Sequence, residues 1–390
     1  MARAYLSRVA EAGSLAVSSF VVEHGAVEAA RLVRRGAVPA HVEAATAARR
    51  ARVDGADDLE VAQRHGIRFV VPESPDWPQY AFAPLYAAQQ RRIAGWRAGA
   101  WTARYGGEPT VPFGLWVRGV LAVEQLGLRC VAVVGARAAT SYGEHIAVEF
   151  GYGLASSDVT VVSGGAFGID ACAHRGALAA HGATVLVSAG GLERPYPQAH
   201  AGLFAEVAES GLLVSESPPG CAPQRHRFLS RNRIIAALSS ATVVVEAAVR
   251  SGALNTAAHA QLLGRPLLAV PGPVTSAMSA GCHALISREE NPAQLATSVD
   301  DILGVVGSSG GGRSPEPIGD ESRRVYDDLD PVARAVLDGL PARSWAGEDE
   351  VAMRSGVAVR EVLRALPVLR MAGLIDAGRQ GYRLARPQTG

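Results

Sequence analysis

The sequence predicts an α/β fold: a doubly wound, mostly parallel sheet, preceded by a small helical module and followed by a winged-helix domain. Three observations predict it. From Cys130 to Gly272, short apolar runs rich in β-branched residues alternate with helical stretches, the pattern of parallel strands joined by crossovers. Up to about Arg68 the apolar residues recur at helical spacing. Beyond a Gly/Ser/Pro linker, "GVVGSSGGGRSPEPIGD", three helical patterns and a candidate two-stranded wing follow in winged-helix order. The implied boundaries are 1–68 for a helical module of the SAM or HhH kind, 69–303 for the sheet domain, 304–322 for the linker and 323–390 for the winged helix. A chain of 390 residues has room for two or three domains.

Each element has its own signal. "EAGSLAVSSFVVEHGAVEAARLVRR" breaks at Gly13, Gly25 and Gly36 into short amphipathic helices. "IRFVVPESPDWPQYAFAPLY" reads as a strand followed by a turn region punctuated by prolines. Ala87–Pro112 shows little periodicity and is expected to be a surface insertion. "CVAVVGARAATSYG" is then a buried strand entering a glycine turn, followed by a helix near Glu144–Ala155. The alternation continues with strand "TVVSGGAFG", helix Ile169–Ala180, strand "ATVLVSAGG", a helix near His200–Glu209 and strand "GLLVSES". The arginine-rich "FLSRNRIIAALS" leads into strand "ATVVVEA", helix Leu254–Leu263 and strand "PLLAVPG". The crossovers are expected to be right-handed. In the C-terminal part the helices start near Asp330, Glu348 and Val359, "AGLIDAGRQGYRLA" supplies the wing, and Pro367 is expected to kink the third helix.

Composition narrows the function. Net charge is +1, so any nucleic-acid surface has to be a local patch. No apolar run reaches the roughly 18–20 residues of a membrane span, and the first residues lack a signal-peptide apolar core. The cysteines, Cys130, Cys172, Cys221 and Cys282, lie far apart without metal-ligand spacing, as buried thiols in a reducing cytoplasm would. Lysine is absent, a usage that suits a GC-rich genome, and all 38 basic residues are arginine. Every cationic contact therefore uses a planar fork that fits phosphate and stacks on bases.

Several predicted strands end in glycine turns: Gly135 in "VVGARAAT", Gly164 and Gly165 in "VSGGAFGID", and "SAGG" and "AVPG". Ligands of open α/β sheets bind outside such strand ends, where glycine admits close approach and helix N-termini offer free N–H groups to anions. No acid interrupts Cys221–Ala241, which contains Arg225, Arg227, Arg231 and Arg233. "GARAAT" is not the dinucleotide fingerprint, and "SGGAFGID" has no P-loop lysine, so no nucleotide cofactor is expected. A phosphate-binding rim is the reading that uses all these features. The competing local reading pairs arginines of the run with carboxylates such as Glu216 or Glu246.

"VGARAATSYG", "SGGAFGIDACAHRGAL", "YPQAHAGLF", "SESPPG", "FLSRNRIIAALS", "VVVEAAVRSGALNTAAHAQLLGRPLLAVPG" and "SAGCHALI" resemble, in order and spacing, the DprA (Smf) family of bacterial DNA-processing proteins. The resemblance spans roughly Trp77–Leu303 and includes "DWP" and Leu115–Gly119. It implies an extended Rossmann-like domain that binds single-stranded DNA without catalysis or cofactor, loads RecA during transformation, and works as a cytoplasmic homodimer. The residues it assigns to DNA are Gly135, Ala136, Arg137, Gly164, Gly165, Ala166, Arg225, Phe228, Arg231, Asn232, Arg233, Ser251, Gly252 and Thr256. Phe228 would stack on a base. Ala136 stands where the family often carries serine, and "SREENPAQLATSVDDIL" departs from the family's shorter link after Ile286.

Two other classes compete. The turn Ser251–His259 resembles that of "lonely guy" nucleotide phosphoribohydrolases, but His259 holds their glutamate position, which leaves no carboxylate to assist cleavage. Asp170 and His174, one turn apart, would be the remaining acid–base pair. Alternatively, Arg360, Arg364, Arg379 and Arg383 of the winged helix would read duplex DNA, as in a repressor.

Overall fold

The computed structural model describes residues 1–51, 54–98, 108–307, 329–341, 344–378 and 380–385. The chain forms two compact units, Met1–Gly310 and Gly311–Gly390.

Five short helices open the first unit: α1 (Ala2–Val9), α2 (Leu15–His24), α3 (Ala26–Arg35), α4 (Ala40–Arg50) and α5 (Gly55–Arg64). They break at the expected glycines, and Gly25 and Gly36 take positive φ at 76° and 70°. Tyr5, Leu6, Val9, Val17, Val33 and Val42 form their shared core. Strand β1 (Arg68–Val70) follows, and then helix α6 (Gln79–Arg97).

Helix α6 corrects the expected insertion. Ala81, Leu85, Ala88, Gln89 and Arg92 are buried at helical spacing. Gln89 Oε1 accepts from the Val111 amide at 2.6 Å, and Arg92 pairs with Glu108. Polar residues at inward positions masked the period. Residues 87–98 and 108–112 therefore belong to the folded body, and 99–107 lie outside the described residues.

The sheet continues through β2 (Leu115–Gly119), β3 (Cys130–Val134), α7 (Ser141–Ser156), β4 (Thr160–Gly164), α8 (Ile169–Ala179), β5 (Thr184–Ser188), α9 (Ala201–Ser210) and β6 (Leu212–Ser215). It is completed by α10 (Arg225–Ala237), β7 (Ala241–Val244), α11 (Ala253–Leu262), β8 (Leu267–Ala269), α12 (Ala280–Ile286), β9 (Gln294–Leu295) and α13 (Val299–Val306). The nine strands lie in the order β1-β2-β6-β5-β4-β3-β7-β8-β9. β3 to β9 pair in parallel, while β1 and β2 add an antiparallel edge.

The core follows the two-residue period of a strand. Ala132 and Val134 face α6, α10 and α11, while Val131 and Val133 face Phe150, Leu154 and Ile169. Leu186 and Leu213 pack on Phe204 and Val207 of α9 and on Ala4 of α1, so the N-terminal helices share a core with the sheet. The unusual link after Ile286 supplies the edge strand β9. It leads into α13 through a capping box in which Ser298 and Asp301 satisfy each other's amides.

The second unit contains α14 (Pro331–Asp338), α15 (Glu348–Ser355), α16 (Val359–Met371) and the hairpin β10 (Ile375–Gly378)–β11 (Gly381–Leu384). Val336, Val351, Val362, Leu366 and Leu369 form its core. Pro367 lies within α16 without ending it.

Candidate nucleic-acid interface

Strand order reverses between β3 and β7. The loops leaving these strands diverge and open a crevice outside their carboxyl ends. A cavity of ≈ 690 Å³ occupies that crevice. The β3–α7 loop lines it with Gly135, Ala136 and Arg137, and the β4–α8 connection with Ala166. Helix α8 contributes Asp170, and the β5–α9 connection contributes Tyr196. Arg225, Phe228, Leu229 and Asn232 of α10 recur at i, i+3, i+4 and i+7, so they share the face turned to the cavity. Arg250, Ser251 and Gly252 precede α11, which adds Thr256.

Hydrogen bonds hold the loops. Buried Glu246 accepts from the Thr140 amide at 2.9 Å and the Thr140 hydroxyl at 2.6 Å. The Ala136 amide donates to the Glu246 carbonyl at 2.8 Å, and the Ile169 amide donates to the Ala136 carbonyl at 3.2 Å. Gly168 sits at φ +73°, and a Cβ there would collide with that carbonyl oxygen, so glycine lets the two loops touch. Helix α10 starts without a side-chain cap or an acid in its first turn, which leaves its leading N–H groups for an anion.

Charge at the rim comes in two kinds. Arg137, Arg225 and Arg250 are exposed. The Arg137 guanidinium carbon lies 4.8 Å from the Phe228 ring centre, and the Tyr196 ring lies 5.8 Å from the same ring. Arg231 and Asp170 are instead buried, at 7% and 8% exposure. Burial pushes the Arg231 guanidinium down to about 10 against the pull of Asp170, so it keeps its proton at neutral pH. Burial pushes the Asp170 carboxyl up, against Arg231 and the Ala166 amide. Arg231 also donates to the Val187 carbonyl. The one carboxylate of the cavity is thus offset by Arg231, and the exposed arginines leave the rim positive.

All residues expected at the rim line this cavity except Gly164, Gly165 and Arg233. Gly164 makes room for the buried pair, since a Cβ there would collide with Arg231 and Asp170. A Cβ on Gly165 would fall 2.8 Å from the Phe204 ring. Arg233 corrects the expectation of a phosphate ligand. It is fully buried and donates to Glu216 Oε1 at 2.7 Å, the Thr110 carbonyl at 2.8 Å and the Ser230 carbonyl at 2.8 Å. At about 100° per residue, positions two apart point to opposite sides of a helix, so Arg231 and Arg233 cannot both face the rim. Asn232 stays at the rim, but its amide donates to the Gly252 carbonyl at 3.2 Å and Asn255 Oδ1 at 3.1 Å, tying α10 to α11. Tyr196 and Arg250 were missed. Each lies within a family-like motif of the sequence, but no spacing marks either as functional.

The candidate acid–base pair does not form. His174 Nε2 lies 2.9 Å from the Gly164 carbonyl and Nδ1 lies 2.7 Å from Thr184 Oγ1, which itself donates to the Val161 carbonyl at 2.9 Å, so both ring nitrogens are taken up away from Asp170. Burial pushes His174 down to about 4, so the ring is neutral at pH 7. Among the described residues no three His, Cys, Asp or Glu side chains lie together as a metal site.

The N-terminal helices brace α10. Glu11 accepts from Arg227 Nη2 at 2.8 Å, from His226 Nε2 at 3.1 Å and from Arg49. Burial pushes its carboxyl up, but the bonds from Arg227, Arg49 and His226 prevail and hold it well below the usual carboxylate range. A depressed carboxylate contributes stability above its unfolded value, about 4.3, and loses it as pH falls through the folded one. Glu11→Gln is therefore expected to lower the melting temperature at pH 7. The gap to wild type should narrow below about pH 4 in a calorimetric pH series. A gap unchanged with pH would refute the brace.

The comparisons agree with this architecture. The family model for DNA recombination-mediator protein A matches residues 94–307. The chain is 46% identical over 389 residues to a sequence named as a DNA processing protein DprA in Mycobacterium tuberculosis, covering 99% of this chain and 95% of that one. It is 40% identical over 260 residues to protein Smf of Escherichia coli, covering 66% and 68%. The crystal structure of DNA processing protein A from Streptococcus pneumoniae superposes with a TM-score of 0.59 at 28% identity, covering 77% of this chain and 95% of that one. With a doubly wound sheet, an arginine-rimmed crevice at its switch point and a relative spanning nearly its whole length, this chain belongs to the DprA/Smf family of DNA recombination-mediator proteins.

Proposed function

We propose that the chain binds single-stranded DNA in the switch-point cavity and helps load RecA onto it during recombination and transformation, as a cytoplasmic, non-catalytic homodimer. The observation that carries this reading is the rim itself: exposed Arg137, Arg225 and Arg250 beside Phe228 and Tyr196, with the nearby carboxylate already offset by Arg231. Arginines follow a flexible backbone while aromatic faces accept bases of any sequence. A stiff duplex keeps its base faces stacked and offers these rings nothing.

The absence of the Asp170–His174 pair and the His259 substitution count against a hydrolase. The C-terminal helices and hairpin are read as a winged helix, an accessory module. Arg360 and Arg364 are exposed, but they share α16 with Leu363, Val368 and Met371 at 50%, 53% and 89% exposure. Arg383 pairs with Asp376 and stacks on Trp345, and Arg379 lies outside the described residues. So apolar a face suits protein contact better than a phosphate backbone.

The test is RecA filament growth on single strands coated with single-strand-binding protein, with and without this protein. Faster nucleation is expected. Release of adenine from AMP, or no effect on RecA despite tight DNA binding, would overturn the loading role.

A further inference from the structure

We propose that the same DNA strand continues beyond the Phe228 cavity into an adjoining one, where Phe167 and Arg175 hold its next nucleotides. This rests on the single-strand reading of the first cavity. The second cavity has a volume of ≈ 430 Å³ and shares Arg137 and Ala138 with the first. The shared guanidinium, stacked over Phe228, gives a phosphate one cation that serves both cavities.

Phe167 makes the second cavity a base platform. It lies on the β4–α8 loop and is 48% exposed. It stands edge-on to His200, ring centres 4.6 Å apart. Buried His200 is fixed in turn, with Nδ1 3.1 Å from the Gly165 carbonyl. An aromatic ring braced on one side and open on the other costs little ordering entropy when a base stacks on it.

Charge agrees with the assignment. Arg175, on the second turn of α8, is exposed at this cavity. Glu144 is the one carboxylate lining it, against Arg137 and Arg175. Glu144, Cys172 and Arg175 line the same floor; burial raises the Cys172 thiol, Glu144 adds to that and Arg175 opposes it. The balance favours an anion, with Glu144 keeping the phosphate path to the arginine side.

The test compares oligo-dT of about 5 and about 20 nucleotides, lengths bracketing common single-strand site sizes, for wild type, Phe167→Ala and Arg175→Gln. Both side chains are exposed, so the variants should fold. Short-oligomer affinity is expected to match wild type. Long-oligomer affinity is expected to fall about tenfold in Phe167→Ala, within the range of one lost base stack. With 5-iodouracil along the strand, irradiation of wild type should crosslink Phe228 at both lengths and Phe167 with the long strand alone. Variants equal to wild type at both lengths, with crosslinks confined to the first cavity, would overturn the second site and leave the first standing. Failure of wild type to bind either oligomer would overturn both.

Discussion

Replacing Arg233 with alanine is expected to destabilise the first unit by about 3–5 kcal/mol, the usual consequence of breaking a buried ion pair from one side. Glu216 would stay behind at 8% exposure without its cation, the Thr110 carbonyl would lose its donor and the Ser230 carbonyl a second one. For a unit of this size the melting temperature should fall by about 5–15 °C. Removing both charges together, as Arg233→Met with Glu216→Leu, should recover much of the loss, since a well-packed apolar pair often equals a buried ionic one. Thermal denaturation of the single and double variants decides it. A single variant as stable as wild type would show that the pair is not a structural tie. The expectation separates Arg233 from exposed Arg225 of the same arginine run, whose removal should act on DNA instead.

Arg137→Glu is expected to weaken oligo-dT binding by about ten- to a hundredfold at low salt without changing the melting temperature. Arg137 is exposed and stacks on the Phe228 ring, and its charge favours buried Asp170 while opposing buried Arg231, so its loss should cost the fold little. The reversed charge both deletes a phosphate contact and adds a repulsion. The salt dependence should flatten by about 0.7 in slope for the phosphate released. Phe228→Ala should cost about 1–3 kcal/mol of affinity while leaving the slope alone, because stacking releases no counterions. Fluorescence anisotropy on the two variants separates the effects. Equal slopes in Arg137→Glu and wild type would remove Arg137 from the phosphate path. Arg231→Glu is a poorer probe. It would set two carboxylates together in a buried site and confound folding with binding.

Much of the sheet domain was legible because its strands are buried on both faces and read as unbroken apolar runs between glycine turns. Val131–Val134, Val185–Val187 and Val243–Val244 could be placed without knowing their partners. The rim was legible for a related reason: turns at parallel strand ends must converge, so Gly135, Ala166 and Gly252 were bound to meet. What failed was the assignment of polar side chains that point inward. Gln89 and Arg92 occupy core positions of α6 and made a helix look like an irregular insertion. In α10 the residues Ser230–Ala237 are buried all round, so no apolar stripe told which arginine faced which way. Arg227 goes to Glu11, Arg231 to the Val187 carbonyl within the field of Asp170, Arg233 to Glu216, and Arg225 to solvent. Those partners come from the α1–α2 connection, α8, β5 and the β6–α10 connection, distant in sequence from the arginines they hold or from one another. Helical rotation alone would have separated Arg231 from Arg233.

The central claim is that the switch-point rim is a phosphate surface for single strands. Its most direct test is the affinity of the wild-type protein for oligo-dT and for a matched duplex across a salt series. A clear preference for the single strand is expected. Log K should fall with log salt at a slope of about −2 to −3, from three to four arginine–phosphate contacts at about −0.7 each. A flat salt dependence, or a duplex bound more tightly than the single strand, would contradict it.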